Sequence, residues 1–103
     1  MKLTGKQKRF LRANANRLRP IFEVGKNGLS HVGRTEPTNT LDSRELIKVN
    51  VLQNSTATVA DIKDYIEAKS DIAVVQTIGK TLVLFKPSKD EKHQDLSTEV
   101  FSI

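Results

Sequence analysis

Apolar positions change period several times along the chain, and each change marks an element. Between Thr4 and Leu18, Phe10, Leu11, Ala13 and Leu18 form a narrow apolar stripe at helical spacing, while Lys6, Lys8, Arg9, Arg12 and Arg17 cover much of the remaining surface. Thr4, with Gln7 three residues on, predicts a capping box and a helix running to about Asn16 or Leu18. Pro20 cannot continue that helix and biases Arg19 toward extended geometry. Ile21-Phe22-Glu23-Val24 then reads as a short strand, closed by Gly25-Lys26-Asn27-Gly28. Ser30 can cap a second helix, but Gly33 and Pro37 both oppose a continuous one. A kinked or shortened helix is expected over residues 30–43, with Pro37 a candidate first-turn residue.

The period switches to two at Leu46–Leu52, where Ile47, Val49 and Val51 alternate with Lys48 and Asn50. Thr58 opens a further helix, with Asp61 placed for a related cap and Val59, Ile62 and Ile66 as its core stripe. Residues 71–78 and 81–85 read as two apolar strands joined through Gly79-Lys80, where glycine supplies the positive φ of a tight hairpin. Pro87 stops the sheet. The order helix, strand, helix, strand, helix, strand, strand predicts a layered α/β (α+β) domain with a small four-stranded mixed sheet. That domain is expected over residues 1–88, followed by a polar tail over 89–103. Within the tail, Val100, Phe101 and Ile103 can either dock against the body or pair with another chain.

Composition adds little until charge is located. The 103 residues suit one ordinary domain, and no apolar run approaches the roughly 20 residues of a membrane helix. The basic start of the chain is followed by Gln7, Lys8 and Arg9 rather than by an apolar run, unlike a secretory signal. With no cysteine there is no disulfide framework or thiolate site, which is compatible with the cytoplasm, the expected location. The formal net charge is +5, and it is strongly one-sided. Lys2, Lys6, Lys8, Arg9, Arg12, Arg17, Arg19, Lys26 and Arg34 face only Glu23 in the first third, whereas the remainder carries eight basic and eleven acidic residues. A field of that shape attracts polyanions.

Catalytic chemistry finds no constellation to stand on. His31 and His93 are sixty-two residues apart, with no carboxylate motif near either, so no metal is expected. Ser30-His31 lacks a nucleophile elbow and reads as a helix cap beside a surface histidine. Glu23, Glu36, Asp42 and Glu45 have the polar and basic neighbours of exposed positions, and Asp61, Asp64 and Glu67 form a solubilising helix face. Gly79-Lys80-Thr81 ends like a phosphate loop but lies in a hairpin rather than before a helix. The sequence therefore predicts neither an enzyme, nor a cofactor, nor a small-molecule substrate.

Gly25-Lys26-Asn27-Gly28 behaves differently. Two glycines three apart let the backbone approach a phosphate closely, Lys26 adds charge, and Asn27 offers a donor and an acceptor. KH domains bind RNA with a GxxG loop of this kind. The pair alone is a weak signal that also fits a simple tight turn, so the weight falls on the basic helix, which in the simplest packing flanks the loop. Phe10, Phe22 and Phe85 lie on apolar stripes, leaving no exposed stacking platform, so recognition should lean on phosphate, sugar and shape. The same basic face could instead dock an acidic protein.

Four ordered blocks carry a resemblance. Leu3-Thr4-Gly5-Lys6-Gln7-Lys8-Arg9-Phe10-Leu11-Arg12, Pro20-Ile21-Phe22-Glu23-Val24-Gly25-Lys26-Asn27-Gly28, Arg44-Glu45-Leu46-Ile47-Lys48-Val49 and Ile78-Gly79-Lys80-Thr81-Leu82-Val83-Leu84-Phe85-Lys86 resemble the YhbY family of stand-alone bacterial CRM domains. The resemblance covers about residues 2–89 and departs from the family between Ser30 and Asn39, where Gly33 and Pro37 stand in place of apolar helix residues. It implies a fold similar to the C-terminal domain of translation initiation factor three. It also implies an RNA-binding face and a part in assembling the large ribosomal subunit, with precursor ribosomal RNA as partner. Carried over by position, that face comprises Gly25, Lys26, Asn27 and Gly28 with Lys6, Lys8, Arg9 and Arg12.

Overall fold

The structure, a computed structural model, describes residues 3–24, 44–53, 58–69 and 71–103. Helix α1 spans Gly5–Ala15 and begins with the expected box: the Gln7 N–H donates to the Thr4 hydroxyl at 3.2 Å, and the Thr4 N–H donates to the Gln7 side-chain oxygen at 2.9 Å. Its core face is carried by Leu11 and Ala15, with Phe10 and Leu18 partly covered, while Ala13 is exposed. The stripe expected at Ala13 thus shifts to Ala15, one turn after Leu11, because residues four apart stack on one side of a helix.

Strand β1 is Pro20–Val24, β2 Leu46–Val51, β3 Ala73–Ile78 and β4 Thr81–Phe85. They form one sheet in the order β1-β2-β4-β3, with β1 parallel to β2 and the other pairings antiparallel. The expected mixed sheet is therefore present. The connection over residues 25–43, including the helix expected there, lies outside the described residues. Helix α2, Val59–Lys69, is capped reciprocally: the Thr58 N–H donates to Asp61 and the Asp61 N–H donates to the Thr58 hydroxyl, both at 3.1 Å. Gly79 alone in the hairpin has positive φ, +55°, the conformation for which a tight hairpin turn uses glycine.

Alternation along the strands divides the interior into two layers. Ile47, Val49, Val51, Val74, Leu82 and Leu84 pack beneath Ile62 and Ile66 of α2. On the opposite face, Leu46, Val75, Val83 and Phe85 pack against Leu11 and Ala15 of α1. Val74 and Val75 serve opposite layers by ordinary alternation, and an irregularity between Val74 and Gln76 leaves Val75 unpaired, so that Gln76 pairs with Val83 on the same face as Val75.

The segment expected to be a polar tail is folded. A 3-10 turn spans Glu91–His93 and helix α3 spans Asp95–Phe101. Val100 is fully buried in the α1 layer, and the half-exposed Phe101 meets Phe85 edge to face at 6.1 Å. The anchor is Glu45, which sequence neighbours marked as exposed but which is only 1% exposed. Its carboxylate accepts the Ser88 N–H at 2.7 Å and the Ser97 N–H at 3.0 Å. A buried carboxylate must be hydrogen-bonded, and here two backbone donors from the C-terminal segment satisfy it. Among the described residues no helix is long and apolar enough to cross a membrane.

Candidate nucleic-acid interface

Helix geometry sorts the basic residues of α1. Leu11 and Ala15 point into the core, which leaves Lys8 and Arg12, one turn apart, on the flank beside the sheet. These two line an open groove of about 290 Å³ whose floor is Val74, Val75, Gln76 and Thr77 of β3. Its far wall is Lys63 and Glu67 of α2. Because α1 and α2 cover opposite faces, the groove follows the sheet margin formed by the edge strand β3. Lys6 and Arg9 are exposed elsewhere on α1 and do not line it. Among the described residues, no carboxylate lies within ion-pair distance of Lys6, Lys8, Arg9, Arg12 or Lys63.

Gly25, Lys26, Asn27 and Gly28 lie outside the described residues, but the strand leading to them is placed. Val24 pairs with Val51, whose N–H donates to the Lys80 carbonyl at 2.7 Å. The chain thus leaves β1 for the loop at the sheet end that carries the Gly79-Lys80 turn. Strand order sets β1 and β3 at opposite edges, about 14 Å apart by three ordinary strand spacings. Lys8 and Arg12 accordingly face the edge away from β1, rather than flanking the strand from which the loop departs.

Two cations in this region were not singled out by the sequence. Lys63 sits among Asp61, Asp64 and Glu67 and reads as part of an acidic face, yet it is half-buried on the groove wall. Lys80 belongs to a phosphate-loop look-alike without the required helix, and it stands exposed at the hairpin tip. Among the described residues the carboxylates offer no acid–base pair here, and Glu36 and Asp42 lie outside them. Both Glu45 oxygens accept backbone N–H groups in the interior, and Asp61 caps α2. His93 sits 3.8 Å from Asp90 in an exposed contact, and among the described residues no cluster could hold a metal ion.

Comparison with known proteins agrees with this architecture. A 48% identical relative, the probable RNA-binding protein YqeI of Bacillus subtilis, aligns over 91% of this chain and 98% of its own length. An RNA-binding protein of Haemophilus influenzae is 41% identical over 89% of this chain and 93% of its own. A Staphylococcus aureus protein solved in solution superposes with a TM-score of 0.66 at 41% identity, covering 91% of this chain and 98% of that one. The family model described as the CRS1 / YhbY (CRM) domain matches residues 3–86, and the chain belongs to that family.

Proposed function

We propose that this protein is a non-catalytic RNA-binding module that engages ribosomal RNA in large-subunit precursors during ribosome assembly, in the cytoplasm. The observation that carries the reading is the pair Lys8 and Arg12, exposed together on an open groove with no ion-pair partner among the described residues. Cations held beside a cleft attract a polyanion, and phosphate contacts dominate affinity for nucleic acid. The names of the Bacillus and Haemophilus relatives point the same way. Lys6 and Arg9 extend the basic surface around α1, and Gly25, Lys26, Asn27 and Gly28 supply a close-approach loop. The same reading takes the fold to be similar to the C-terminal domain of translation initiation factor three, supported by a mixed sheet with helices on both faces.

Binding to large-subunit rRNA fragments, measured against unrelated structured RNA of equal length, tests the proposal. Contact with about four to six phosphates of a single strand gives a slope of log K against log salt near −3 to −4. Lys26→Glu and Lys8→Glu/Arg12→Glu should each weaken binding while the far-ultraviolet circular dichroism stays unchanged. A salt-independent affinity rejects RNA as the ligand. Equal affinity for unrelated RNA rejects the ribosomal assignment alone.

A further inference from the structure

We infer that the RNA-binding surface continues along the β3 edge, where Lys63 of α2 joins Lys8 and Arg12 to grip the sugar–phosphate backbone. Lys80 at the hairpin tip links this groove to the sheet end from which the Gly25–Gly28 loop departs. The inference rests on the proposed RNA-binding reading and names residues that neither the sequence pattern nor the family resemblance assigns.

Among the described residues, three cations from two helices on opposite faces of the sheet converge on one groove, against the single carboxylate of Glu67. Convergence from separate elements is not what a solvated helix face produces, because charges on such a face diverge around its axis. The groove floor adds polar chemistry. Gln76 is half-buried and Thr77 exposed, so each offers hydrogen-bonding groups to ribose or phosphate oxygens. An edge strand also presents outward-facing N–H groups, further donors for an anion.

The same edge is poorly made for a peptide. Adding a strand requires a regular row of outward donors and acceptors, and the irregularity at Val75 interrupts the register in mid-strand. Lysines flanking an edge oppose strand addition further. A phosphate backbone needs no regular register and is favoured by those lysines. The groove leads on through Thr77 to the turn, where Lys80 is exposed. The Lys80 carbonyl accepts the N–H of Val51, itself paired with Val24 just before the loop. Lys80 and the loop's point of departure are therefore separated by only two strand spacings, about 10 Å. An RNA strand lying along β3 and over the hairpin tip reaches the end of β1 without crossing α1 or α2.

The test uses the full chain and one large-subunit rRNA fragment, titrated over a range of salt. The variants are Lys63→Gln, Lys80→Gln and the charge-matched control Lys92→Gln, whose residue is exposed on the 3-10 turn. Glutamine keeps the first two methylene groups of the stem and a neutral polar end, so the packing nearest the backbone is retained. Losing one phosphate contact should make the salt slope shallower by about 0.7 and weaken binding about fivefold near 0.1 M salt. Lys63→Gln and Lys80→Gln should each show this change with unaltered melting temperature, while Lys92→Gln leaves slope and affinity unchanged. If the wild type binds and Lys63→Gln retains its full slope, or if all three variants change equally, the β3-edge track is wrong and the loop-and-helix reading stands. If the wild type fails to bind any RNA, the reading beneath the inference falls with it.

Discussion

Replacing Glu45 should be among the most disruptive single changes to this fold, although the residue lies next to the exposed Arg44 in sequence. Two terms set the magnitude. Glu45→Ala removes the acceptor for the Ser88 and Ser97 N–H groups, leaving two buried donors unpaired at about 1–3 kcal/mol each. Taking the middle of that range, the loss is about 4 kcal/mol, a large part of the 5–15 kcal/mol typical of a domain. With a urea m value of about 1.5 kcal/mol/M, the unfolding midpoint should fall by about 2.5 M. The second term is backbone: Glu45 has φ of +63°, a left-handed conformation that side chains disfavour by about 1–2 kcal/mol. Glu45→Gly loses the same acceptor but relieves that strain, so it should be about 1 kcal/mol more stable than Glu45→Ala. Glu45→Gln keeps one acceptor oxygen and should lose about half as much as alanine. Urea unfolding with amide exchange at Ser88 and Ser97 measures both the global and the local effect. An alanine variant within about 0.5 kcal/mol of wild type, or one more stable than the glycine variant, would refute the reasoning.

Val100→Ala removes apolar volume from a fully buried position between α1 and Phe85, and should cost about 2 kcal/mol in urea unfolding. A neutral result would mean that α3 is not docked. Thr4→Ala breaks one arm of the α1 capping box and should reduce stability by about 1 kcal/mol, seen as a drop of about 4–8 °C in Tm. Gly79→Ala places a methyl group in open space, so its loss of about 1 kcal/mol should come from the +55° backbone alone. A loss above about 3 kcal/mol would show crowding that the hairpin does not have.

Much of the fold around the candidate site was legible because its signals are local. The α1 cap, the break at Pro20, the alternating strands and the Gly79 turn each depend on residues within a few positions of one another. Position along a helix also made the exposure of Lys6, Lys8, Arg9 and Arg12 readable. The sequence could not divide these cations into a groove pair and an outward pair. That division depends on which sheet edge α1 leans toward, and the strand order sets it. Lys63 was hidden for a related reason: of its acidic neighbours in the chain only Glu67 shares the groove, while Lys8 and Arg12 reach it from a different helix.

The sequence by itself determined the four strands and helices α1 and α2, the one-sided positive charge, and the absence of a recognisable catalytic motif. Each follows from short-range pattern or from composition. Only the tertiary structure decided that residues 89–103 include a docked helix and that Glu45 is an interior anchor. Only the tertiary structure, too, brought Lys8, Arg12 and Lys63 to one edge. The physical reason is common to all three. Burial and convergence are set by partners far apart in the chain, as Glu45 with Ser97 shows across 52 positions, and a polar residue reads as exposed until those partners are in place.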